Sequence, residues 1–507
     1  MALTAYLDKG ASLGRDAPCL TLDGVSLSYG DVQDLSHAVA RALARSGVRA
    51  GDKVAILSGN DPHAFACVFG IARRGAVWCP INPRNTMAEN RELLGQFDCV
   101  ALLYARSYAE IVDGLELPTL VCLDELHAWL AEGGVEDAEV VDTPPDDTVM
   151  IVGTGGTTGR PKGVVLTDRA IETMTALTLM GYPFGAARPV YLAMAPLTHA
   201  AGVLCFPVMA LGGEIVVMPK PDIGEFLALV ERHRVTHTFL PPTLIYMLLA
   251  HEKLAATDLS SLQCFWYGAA PMSAARLAEA LDRIGPMAQL FGQSEAPMMI
   301  STMSPAEHRL ADGSIDTARL SSAGRPSPLV TVAILDQQGR PLPRGERGEI
   351  CVRGSLVMAG YYRNPEATAE ASAHGWHHTG DIGFLDEDGF LYIVDRAKDM
   401  VITGGFNVYS AEVEQALMAH DAVRDCAVVG LPDEKWGERV TAVVQLQPDT
   451  EIDADDLIAF VKQRIGSIKA PKQIEIWPDL PRSTVGKVLK TEIRTTLAAV
   501  PQGGGTP

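Results

Sequence analysis

Residues 153–163 read GTGGTTGRPKG and overlap the end of the apolar run TVMIVGT at 148–154. The run predicts a buried strand, so the glycines come directly after a strand end. Glycines let backbone N–H groups converge on an anion without Cβ clashes, threonine hydroxyls add donors, and a lysine adds positive charge. The residues with these roles are Thr154, Gly155, Gly156, Thr157, Thr158, Gly159 and Lys162.

This loop differs from the common Walker phosphate loop, because Arg160 and Pro161 separate Gly159 from Lys162. Proline fixes φ and lacks an N–H, which favours a turning loop over the start of a helix. Taken alone, the stretch supports two interpretations about equally: a nucleotide-binding loop, or a Gly/Thr hairpin turn between two strands.

The composition narrows the class of protein. A chain of 507 residues is long enough for about two to four domains, and 47% hydrophobic with 21% charged residues is typical of a soluble globular protein. The net charge of −20 argues against nucleic acid or an anionic membrane as a partner. It also means that local groups must hold any anionic ligand, because the overall field repels it.

The cysteines and the chain ends predict a cytoplasmic protein. The nine cysteines include no C-x-x-C pair, which favours a reducing compartment over a disulfide framework or a zinc site. The N-terminal sequence lacks the basic and apolar regions of a signal peptide, and the C-terminal PQGGGTP predicts a flexible tail without a peroxisomal signal.

One apolar segment, residues 189–213, contains no Asp, Glu, Lys or Arg and is long enough to cross a membrane. It is interrupted by Pro196, His199, Gly202 and Pro207. We therefore interpret it as a buried strand, a loop and a buried helix, with no integral membrane segment.

Helical and strand patterns alternate along the first part of the chain, which predicts an α/β fold with layered sheets. Residues 31–48 have helical spacing, and short apolar strands are predicted at 52–59, 99–105, 119–124, 148–154, 214–219 and 235–241. After about residue 320 the pattern becomes strand–turn–strand, with a hairpin and a DG turn at 383–396.

A small α+β unit is predicted at the end of the chain. Ser410 is placed to cap a short helix, and residues 453–466 form an amphipathic helix pattern. We predict an N-terminal domain over residues 1–394 with a β-rich subdomain, a hinge over 395–400 and a mobile C-terminal domain over 401–507, with a flexible tail from about residue 500.

The ordered motifs of the whole chain resemble the adenylate-forming superfamily, which includes acyl-CoA synthetases, nonribosomal adenylation domains and luciferases. The likeness is closest to the acyl- and aryl-CoA synthetases, and chance agreement of so many ordered motifs is negligible. The motifs are GAVWCPINPR (75–84), TGGTTGRPKG (154–163), PLTHAAG (196–202), WYGAAPMS (266–273), FGQSEAP (291–297), GEICVRG (348–354), HTGDIGFLDEDGFLYIVDRAKDMVITGGFNVYSAEVE (378–414) and PRSTVGKVLK (481–490).

The resemblance implies an ATP site with Mg²⁺. Glu295 is suited as an oxygen ligand of a Mg²⁺ that bridges the phosphates, and Asp381 as an acceptor for both ribose hydroxyls, with Arg396 as a second ribose contact. Phe291 stands where the family has Tyr, and keeps an aromatic face for adenine but no hydroxyl. The remaining ATP or AMP contacts that the resemblance implies are the loop residues above and Gly268, Ala269, Ala270, Gly292, Gln293 and Ser294.

The resemblance also implies two half-reactions and a moving C-terminal domain. A carboxylate and ATP give an acyl-adenylate and pyrophosphate, with Lys487 as the catalytic residue that stabilises charge on the phosphoryl oxygens. A thiol then attacks the acyl carbonyl after rotation about the hinge, with Lys398 as pivot. The implied contacts for CoA are Gly404, Gly405, Trp436, Lys469 and Lys472, although Ala470 stands where the family often has a basic residue.

The acyl pocket predicted from the motifs is small and apolar, which favours an aromatic or medium-chain acid. His199 is either a catalytic residue beside this pocket or a core histidine, and the methionines suit packing as well as specificity. The predicted lining is His199, Val203, Gly268, Ala269, Met298 and Met299.

Several functions remain open at this point. The first is a carboxylate–CoA ligase with a carboxylic acid, ATP and CoA as its partners, and a homodimer is compatible with it. The alternative is an adenylating enzyme that passes the acyl group to a carrier-protein thiol. An amino-acid-activating domain is disfavoured because PLTHAAG offers no acid for an α-amino group, and a ligand-binding relative without catalysis would have lost Lys487, Glu295 or the loop.

Overall fold

A computed structural model describes residues 3–132, 143–154, 161–185, 187–198, 200–433, 435–448, 450–482 and 488–499. Of the predicted site, Gly155, Gly156, Thr157, Thr158, Gly159, His199 and Lys487 lie outside the described residues.

The first part of the chain alternates helices and strands, as the sequence predicts. In chain order its elements are α1 (Thr4–Leu13), β1 (Pro18–Leu22), β2 (Val25–Ser28), α2 (Tyr29–Arg45), β3 (Lys53–Leu57), α3 (Pro62–Arg73), β4 (Val77–Ile81), α4 (Met87–Gln96), β5 (Cys99–Tyr104), α5 (Ala109–Val112), β6 (Thr119–Cys122), α6 (Leu126–Ala131), β7 (Thr148–Thr154), β8 (Lys162–Thr167), α7 (Asp168–Gly181), β9 (Val190–Ala193), α8 (Ala200–Ala210), β10 (Glu214–Val217), α9 (Ile223–His233), β11 (His237–Leu240), α10 (Pro242–Leu249), β12 (Cys264–Gly268), α11 (Ala274–Arg283), β13 (Met287–Gln293) and β14 (Ala296–Met303).

The later elements form the β-rich part and the C-terminal unit. They are β15 (Arg325–Pro326), β16 (Thr331–Leu335), β17 (Gly348–Arg353), β18 (Gly360–Tyr361), α12 (Pro365–Ala371), β19 (His377–Leu385), β20 (Leu391–Arg396), β21 (Val401–Thr403), β22 (Phe406–Val408), α13 (Ser410–Met418), β23 (Val423–Asp433), β24 (Gly437–Leu446), α14 (Ala454–Ile465), β25 (Gln473–Ile476) and α15 (Lys490–Ala499).

Two large sheets organise the N-terminal part. Among the described residues, one sheet has nine strands in the order β15-β14-β13-β12-β11-β9-β10-β1-β2, and the other has seven in the order β18-β8-β7-β4-β3-β5-β6. Pairing is parallel in the middle of each sheet and antiparallel at β13–β14 and β7–β8. The predicted α/β fold with layered sheets is confirmed.

The main core joins the two sheets through the helices α1, α2, α3, α7 and α8. Alternation along the strands sends neighbouring side chains to opposite faces: Tyr191 packs in this main core, whereas Leu192 packs in a second core under α9, α10 and α11. Both faces of the nine-stranded sheet are therefore covered, which explains its continuous apolar strands.

The apolar segment at 189–213 folds as predicted, with β9, a connecting loop and α8. Leu204, Cys205 and Phe206 of α8 have no exposed surface, because the helix lies in the main core. No helix within the described part of the chain has the length and apolar character needed to cross a membrane.

A separate four-stranded antiparallel sheet of the described residues, in the order β16-β17-β19-β20, forms the β-rich part. The predicted hairpin at 383–396 is confirmed as the β19–β20 pair, and Gly389 supplies the positive φ of 81° in its turn. In the C-terminal unit, β22-β21-β24-β23 form a sheet to which β25 adds in parallel, and α13 and α14 cover it.

The prediction that the Ser410 side chain caps α13 is wrong. The helix begins at Ser410 itself, and both the backbone N–H and the hydroxyl of Ser410 donate to the carboxylate of Asp395 at the end of β20. A carboxylate from outside the helix thus satisfies its N-terminus, where the helix dipole also favours negative charge.

A lysine from α15 completes this cluster. The ammonium of Lys490 lies 2.7 Å from Glu414 of α13 and donates to the Ser410 hydroxyl at 2.6 Å. Burial alone would lower the pKa of Lys490, but the Glu414 and Asp395 carboxylates outweigh burial and raise it. The cluster thus connects β20, α13 and α15 across the predicted hinge.

Two core histidines predict how stability depends on pH. Burial lowers the pKa of His237 and of His308 to about 4. In the unfolded chain these groups take up a proton near their ordinary pKa of about 6.5, so stability present above that pH is lost as the pH falls toward 4.

We expect His237→Gln to flatten this loss, by roughly 2 kcal/mol between pH 6.5 and 4.5, because each proton contributes about 1.4 kcal/mol per pH unit. Urea unfolding at a series of pH values measures the slope, with the exposed His127→Gln as the control. Equal slopes for His237→Gln and the unaltered protein would contradict the assignment.

Candidate active site

The FGQSE turn between β13 and β14 is irregular, and glycine is required there. The register shifts between Phe291 and Gln293, and a Cβ at Gly292 would lie 2.3 Å from the backbone nitrogen of Met298. Met298 itself has a positive φ of 62°. This close backbone contact pushes Ser294 and Glu295 out of the sheet as a turn.

Tyr361 brings Glu295 and Lys162 together. Its hydroxyl donates to Glu295 Oε1 at 2.8 Å, and the ammonium of Lys162 lies 4.7 Å from the centre of its ring. Burial and then the Glu295 charge raise the pKa of Tyr361, so the hydroxyl stays protonated and donates. The pairing of Tyr361 with Val164 places the ring beside the end of the predicted phosphate loop.

That loop connects two paired strands. Thr154 and Lys162 lie opposite each other in the antiparallel β7–β8 pair, and the Thr154 hydroxyl donates to the Lys162 carbonyl at 3.3 Å. Both ends of the 155–160 segment are therefore held together at one edge of the site. The stretch therefore connects a hairpin, and this is compatible with a role in binding phosphate.

The carbonyl of Thr379 joins the FGQSE turn to the HTGD strand. The Gln293 amide and the Arg396 guanidinium both donate to it at 3.3 Å. His377 Nε2 lies 3.3 Å from the amide oxygen of Gln293, and burial lowers the pKa of His377. Residues from β13, β19 and β20 thus meet at one point.

Asp381 and Arg396 are partners across the β19–β20 pair. Arg396 Nε lies 2.8 Å from Asp381 Oδ1, and the Asp381 side chain is only 4% exposed while that of Arg396 is 44% exposed. The guanidinium therefore covers the carboxylate. Ribose hydroxyls reach Asp381 only if Arg396 shifts or shares the carboxylate.

The predicted hinge follows directly. The Ala397 N–H donates to the Gly380 carbonyl at 2.9 Å, and the N–H groups of Asp399 and Met400 donate to the Arg396 carbonyl. Lys398 is exposed within this turn. The chain segment predicted to rotate is thus hydrogen-bonded to the residue that precedes Asp381.

The residues predicted for adenine and acyl contacts differ in exposure. Ala269 is exposed with φ of 65°, Gly268 is buried, and Ala270 is half-buried beyond the end of β12. A Cβ at Gly268 would lie 2.3 Å from the Leu290 carbonyl, so only glycine fits there. Phe291 is 9% exposed, which leaves little aromatic surface for adenine in this arrangement.

The predicted acyl residues divide between the core and its margin. Val203 and Met299 lie in the main core with 6% and 0% exposure, whereas Met298 is half-buried at its edge. Of these three, Met298 has the side-chain surface that a ligand could contact without repacking the core.

Three of the predicted CoA residues come together in the C-terminal unit. Gly404 and Gly405 form the β21–β22 turn with φ of 56° and 82°, and the Gly404 N–H donates to the Trp436 carbonyl at 2.7 Å. Trp436 is 39% and Phe406 56% exposed, so the turn presents apolar surface to solvent.

Lys469 and Lys472 lie elsewhere and are already engaged. Lys469 pairs with Glu412 at 2.5 Å, and the Lys472 ammonium donates to the Ser467 carbonyl. Lys435, which sequence reasoning missed, lies with its ammonium 4.9 Å from the centre of the Trp436 ring. It is a cation directly beside the turn.

The other residues that sequence reasoning missed are Tyr361, His377 and Thr379. Their contacts depend on the pairing of strands far apart in the chain, which no local pattern reports. A partial signal existed for Thr379, which stands within the HTGD motif next to the predicted Asp381.

Comparison with known proteins identifies the family of this chain. The family described as AMP-binding enzyme matches residues 7–362, and its C-terminal domain family matches residues 412–487. This chain belongs to the AMP-binding enzyme family. The resemblance to the adenylate-forming superfamily, close to the acyl- and aryl-CoA synthetases, is confirmed.

Individual relatives match over nearly full length. A medium/long-chain fatty acid–CoA ligase of Mycobacterium tuberculosis is 38% identical over 508 residues, covering 95% of this AMP-binding enzyme and 87% of the relative. A feruloyl-CoA synthase of an Amycolatopsis species is 36% identical over 488 residues, 96% of each chain. The solved structure of the amide bond synthetase of Marinactinospora thermotolerans is 31% identical, with a TM-score of 0.87 over 97% of this chain and 99% of that one.

The predicted pantetheine channel gives a test at Gly404. In Gly404→Val, a branched side chain must adopt positive φ, and its Cβ lies 3.0 Å from the Trp436 ring. Strain of about 1–2 kcal/mol at this position should slow thioester formation about tenfold and leave adenylation unchanged.

Rapid-quench measurement of the two half-reactions separates these steps. Gly466→Ala is the matched control, because Gly466 has a similar φ of 85° in the same unit but open space around it. Equal slowing of both half-reactions in Gly404→Val, or equal effects of the two substitutions, would contradict the assigned role.

Proposed function

We propose that this AMP-binding enzyme is a carboxylate–CoA ligase, which uses ATP to form an acyl-adenylate and then an acyl-CoA, releasing pyrophosphate and AMP. The observation that carries the proposal is the meeting of distant motifs around Thr379 and Tyr361. Those contacts join the FGQSE turn, the HTGD strand and the end of the phosphate loop.

In the first half-reaction, a carboxylate oxygen bonds to the α-phosphorus of ATP and the bond to pyrophosphate breaks. The β- and γ-phosphates are the proposed ligands of the N–H groups and hydroxyls in the 154–162 sequence and of the Lys162 charge. Asp381 accepts from the ribose hydroxyls while Arg396 shifts from it. Lys487 stabilises the charge that develops on the phosphoryl oxygens and orients the carboxylate.

The donor set suits Mg²⁺ at Glu295. Its carboxylate is half-exposed in the turn and accepts a hydrogen bond from the neutral Tyr361 hydroxyl. Such an oxygen ligand, combined with phosphate oxygens, is what Mg²⁺ prefers. When bound, Mg²⁺ would neutralise charge on the phosphates; Tyr361 meanwhile orients the carboxylate.

In the second half-reaction, the CoA thiol bonds to the acyl carbonyl carbon and the bond to AMP breaks. Lys487 must leave the site before the thiol enters from the side of the C-terminal domain, and rotation about residues 395–400 achieves this. The apolar turn at Gly404 and Gly405 with Trp436 then lines the pantetheine path. Lys435 lies beside this turn, and Lys469 and Lys472 would reach the CoA phosphates by giving up their contacts with Glu412 and the Ser467 carbonyl.

The acid is apolar and uncharged beyond its carboxylate. Val203, Gly268, Ala269, Met298 and Met299 carry no charge, and the two curated relatives above have names for a fatty acid and for ferulic acid. A fatty acid and ferulic acid both agree with a medium-chain or aromatic substrate for this chain. The PLTHAAG motif predicts that His199 contributes to this pocket, with a core role as the alternative.

A second acceptor is supported by one specific finding. The amide bond synthetase has the same fold over nearly its whole length, so the fold itself admits an acyl acceptor other than CoA. A carrier-protein thiol is the alternative to CoA that the sequence analysis leaves open.

We expect the reaction in the cytoplasm, and a homodimer remains a prediction.

A panel of acids tests the function. Medium-chain fatty acids and hydroxycinnamic acids, incubated with ATP, Mg²⁺ and CoA, should yield acyl-CoA by mass spectrometry, with AMP and pyrophosphate in equal amounts. Dicarboxylic acids of similar length are the matched control and should react at least tenfold more slowly, because a second charge would be buried without a partner.

The outcomes separate the two acceptors. AMP and pyrophosphate without acyl-CoA would replace CoA by another acceptor such as a carrier protein. Formation of ADP, or faster reaction of the dicarboxylic acids, would refute the proposal.

A further inference from the structure

Outside the residues assigned to the reaction, three metal-ligating side chains converge on one face of the β17–β19 pair. Glu349 and Cys351 are two residues apart on β17 and so face the same side, and Cys351 is the register partner of His378 on β19. One ligand atom from each of the three lies within 4.8 Å of the others.

The hydrogen bonds of His378 fix which ring nitrogen faces the cluster. Nε2 lies 3.0 Å from the Ala373 carbonyl, which can only accept, so Nε2 carries a proton. Nδ1 then points to Glu349 Oε2 at 2.8 Å and to Cys351 Sγ at 3.5 Å. The position between Nδ1 and the carboxylate can hold either a proton, which makes an imidazolium–carboxylate ion pair, or a bound cation.

We propose that Glu349, Cys351 and His378 form a binding site for Zn²⁺. Nitrogen, sulfur and oxygen donors in a set of three are suited to this ion, and a fourth position is left for water. Tetrahedral bonds of about 2.0–2.3 Å separate ligand atoms by about 3.3–3.7 Å. The 3.5 Å between Cys351 Sγ and His378 Nδ1 already lies in this range, and the 2.8 Å between Nδ1 and Glu349 Oε2 must widen by about 0.5 Å.

Backbone hydrogen bonds already orient two of the three ligands, His378 and Glu349. The Ala373 carbonyl fixes the ring of His378, and the Gly380 N–H donates to the second oxygen of Glu349 at 3.0 Å. Metal-bound histidines and carboxylates commonly have such outer partners, which fix the tautomer and the direction of the lone pairs. Cys351 is buried, so its sulfur has no freedom to turn to solvent.

The site adjoins the strand that carries Asp381, since the Gly380 N–H contacts Glu349, but none of its three ligands is assigned to the reaction. Glu349 and His378 are half-buried, so the ion can enter from solvent. On binding, the Cys351 thiol gives up its proton to solvent and the sulfur bonds to the metal as thiolate. The geometry therefore assigns a soft divalent cation to a face that the ligase reaction leaves unused.

Co²⁺ is the spectroscopic probe for this site, because a thiolate–Co²⁺ bond gives a near-ultraviolet charge-transfer band. Titration of the full chain in the absence of ATP should produce this band with one Co²⁺ bound, and one equivalent of Zn²⁺ should remove it. Cys351→Ser should abolish the band, whereas the matched control Cys122→Ser, a half-exposed cysteine elsewhere, should retain it.

A second variant keeps the test independent of folding. Glu349→Gln retains an oxygen acceptor for Gly380 but loses the anionic ligand, and should weaken Zn²⁺ binding at least tenfold in equilibrium dialysis. Circular dichroism of the metal-free variants checks their fold. No band in the unaltered chain would indicate an imidazolium–carboxylate ion pair only. A band that survives in Cys351→Ser would place the ion at another cysteine. Either result would overturn the proposal.

Discussion

A largely buried lysine connects the two parts of this chain. The Lys490 ammonium contacts Glu414 and the Ser410 hydroxyl, and Ser410 donates to Asp395 at the end of β20. Removing the lysine would leave two buried carboxylates without a cation, a change that costs about 3 kcal/mol or more in comparable buried pairs. The Lys490 ammonium thus holds the start of α13 against the start of α15.

The same strand, β20, carries a predicted ribose contact and the start of the predicted hinge. Asp395 anchors the C-terminal unit, while its neighbour Arg396 covers Asp381 and reaches the Thr379 carbonyl. The predicted hinge over 395–400 therefore includes a proposed ribose contact, Arg396. We therefore expect ribose binding and domain rotation to be coupled through these contacts of β20.

Local patterns in the sequence were sufficient for most of the fold. The strand predicted at 148–154 has the same bounds in the structure because it is an apolar run bounded by polar residues, and the DG turn marked the β19–β20 hairpin. The capping of α13 could not be predicted, since its acceptor, Asp395, belongs to a different strand. A serine at a helix start is a local signal, and a tertiary contact replaced it.

The site was predictable in its residue types but not in its contacts. Motifs named Glu295, Asp381 and Arg396, but Tyr361 joins Glu295 to Lys162 only because β18 pairs with β8. Likewise, the cover of Asp381 by Arg396 follows from strand register rather than from any motif. Pairing between distant strands is the information that a single sequence does not display.

The central claim is that the C-terminal domain supplies Lys487 to adenylation and a different surface to thioester formation. Carboxylate-dependent exchange between ATP and pyrophosphate, measured without CoA on Lys487→Ala, tests it most directly. The account predicts that exchange falls about 10²–10³-fold. It also predicts that CoA still reacts with a supplied acyl-adenylate at an unchanged rate. Exchange at the rate of the unaltered enzyme, or loss of the second reaction as well, would contradict the account.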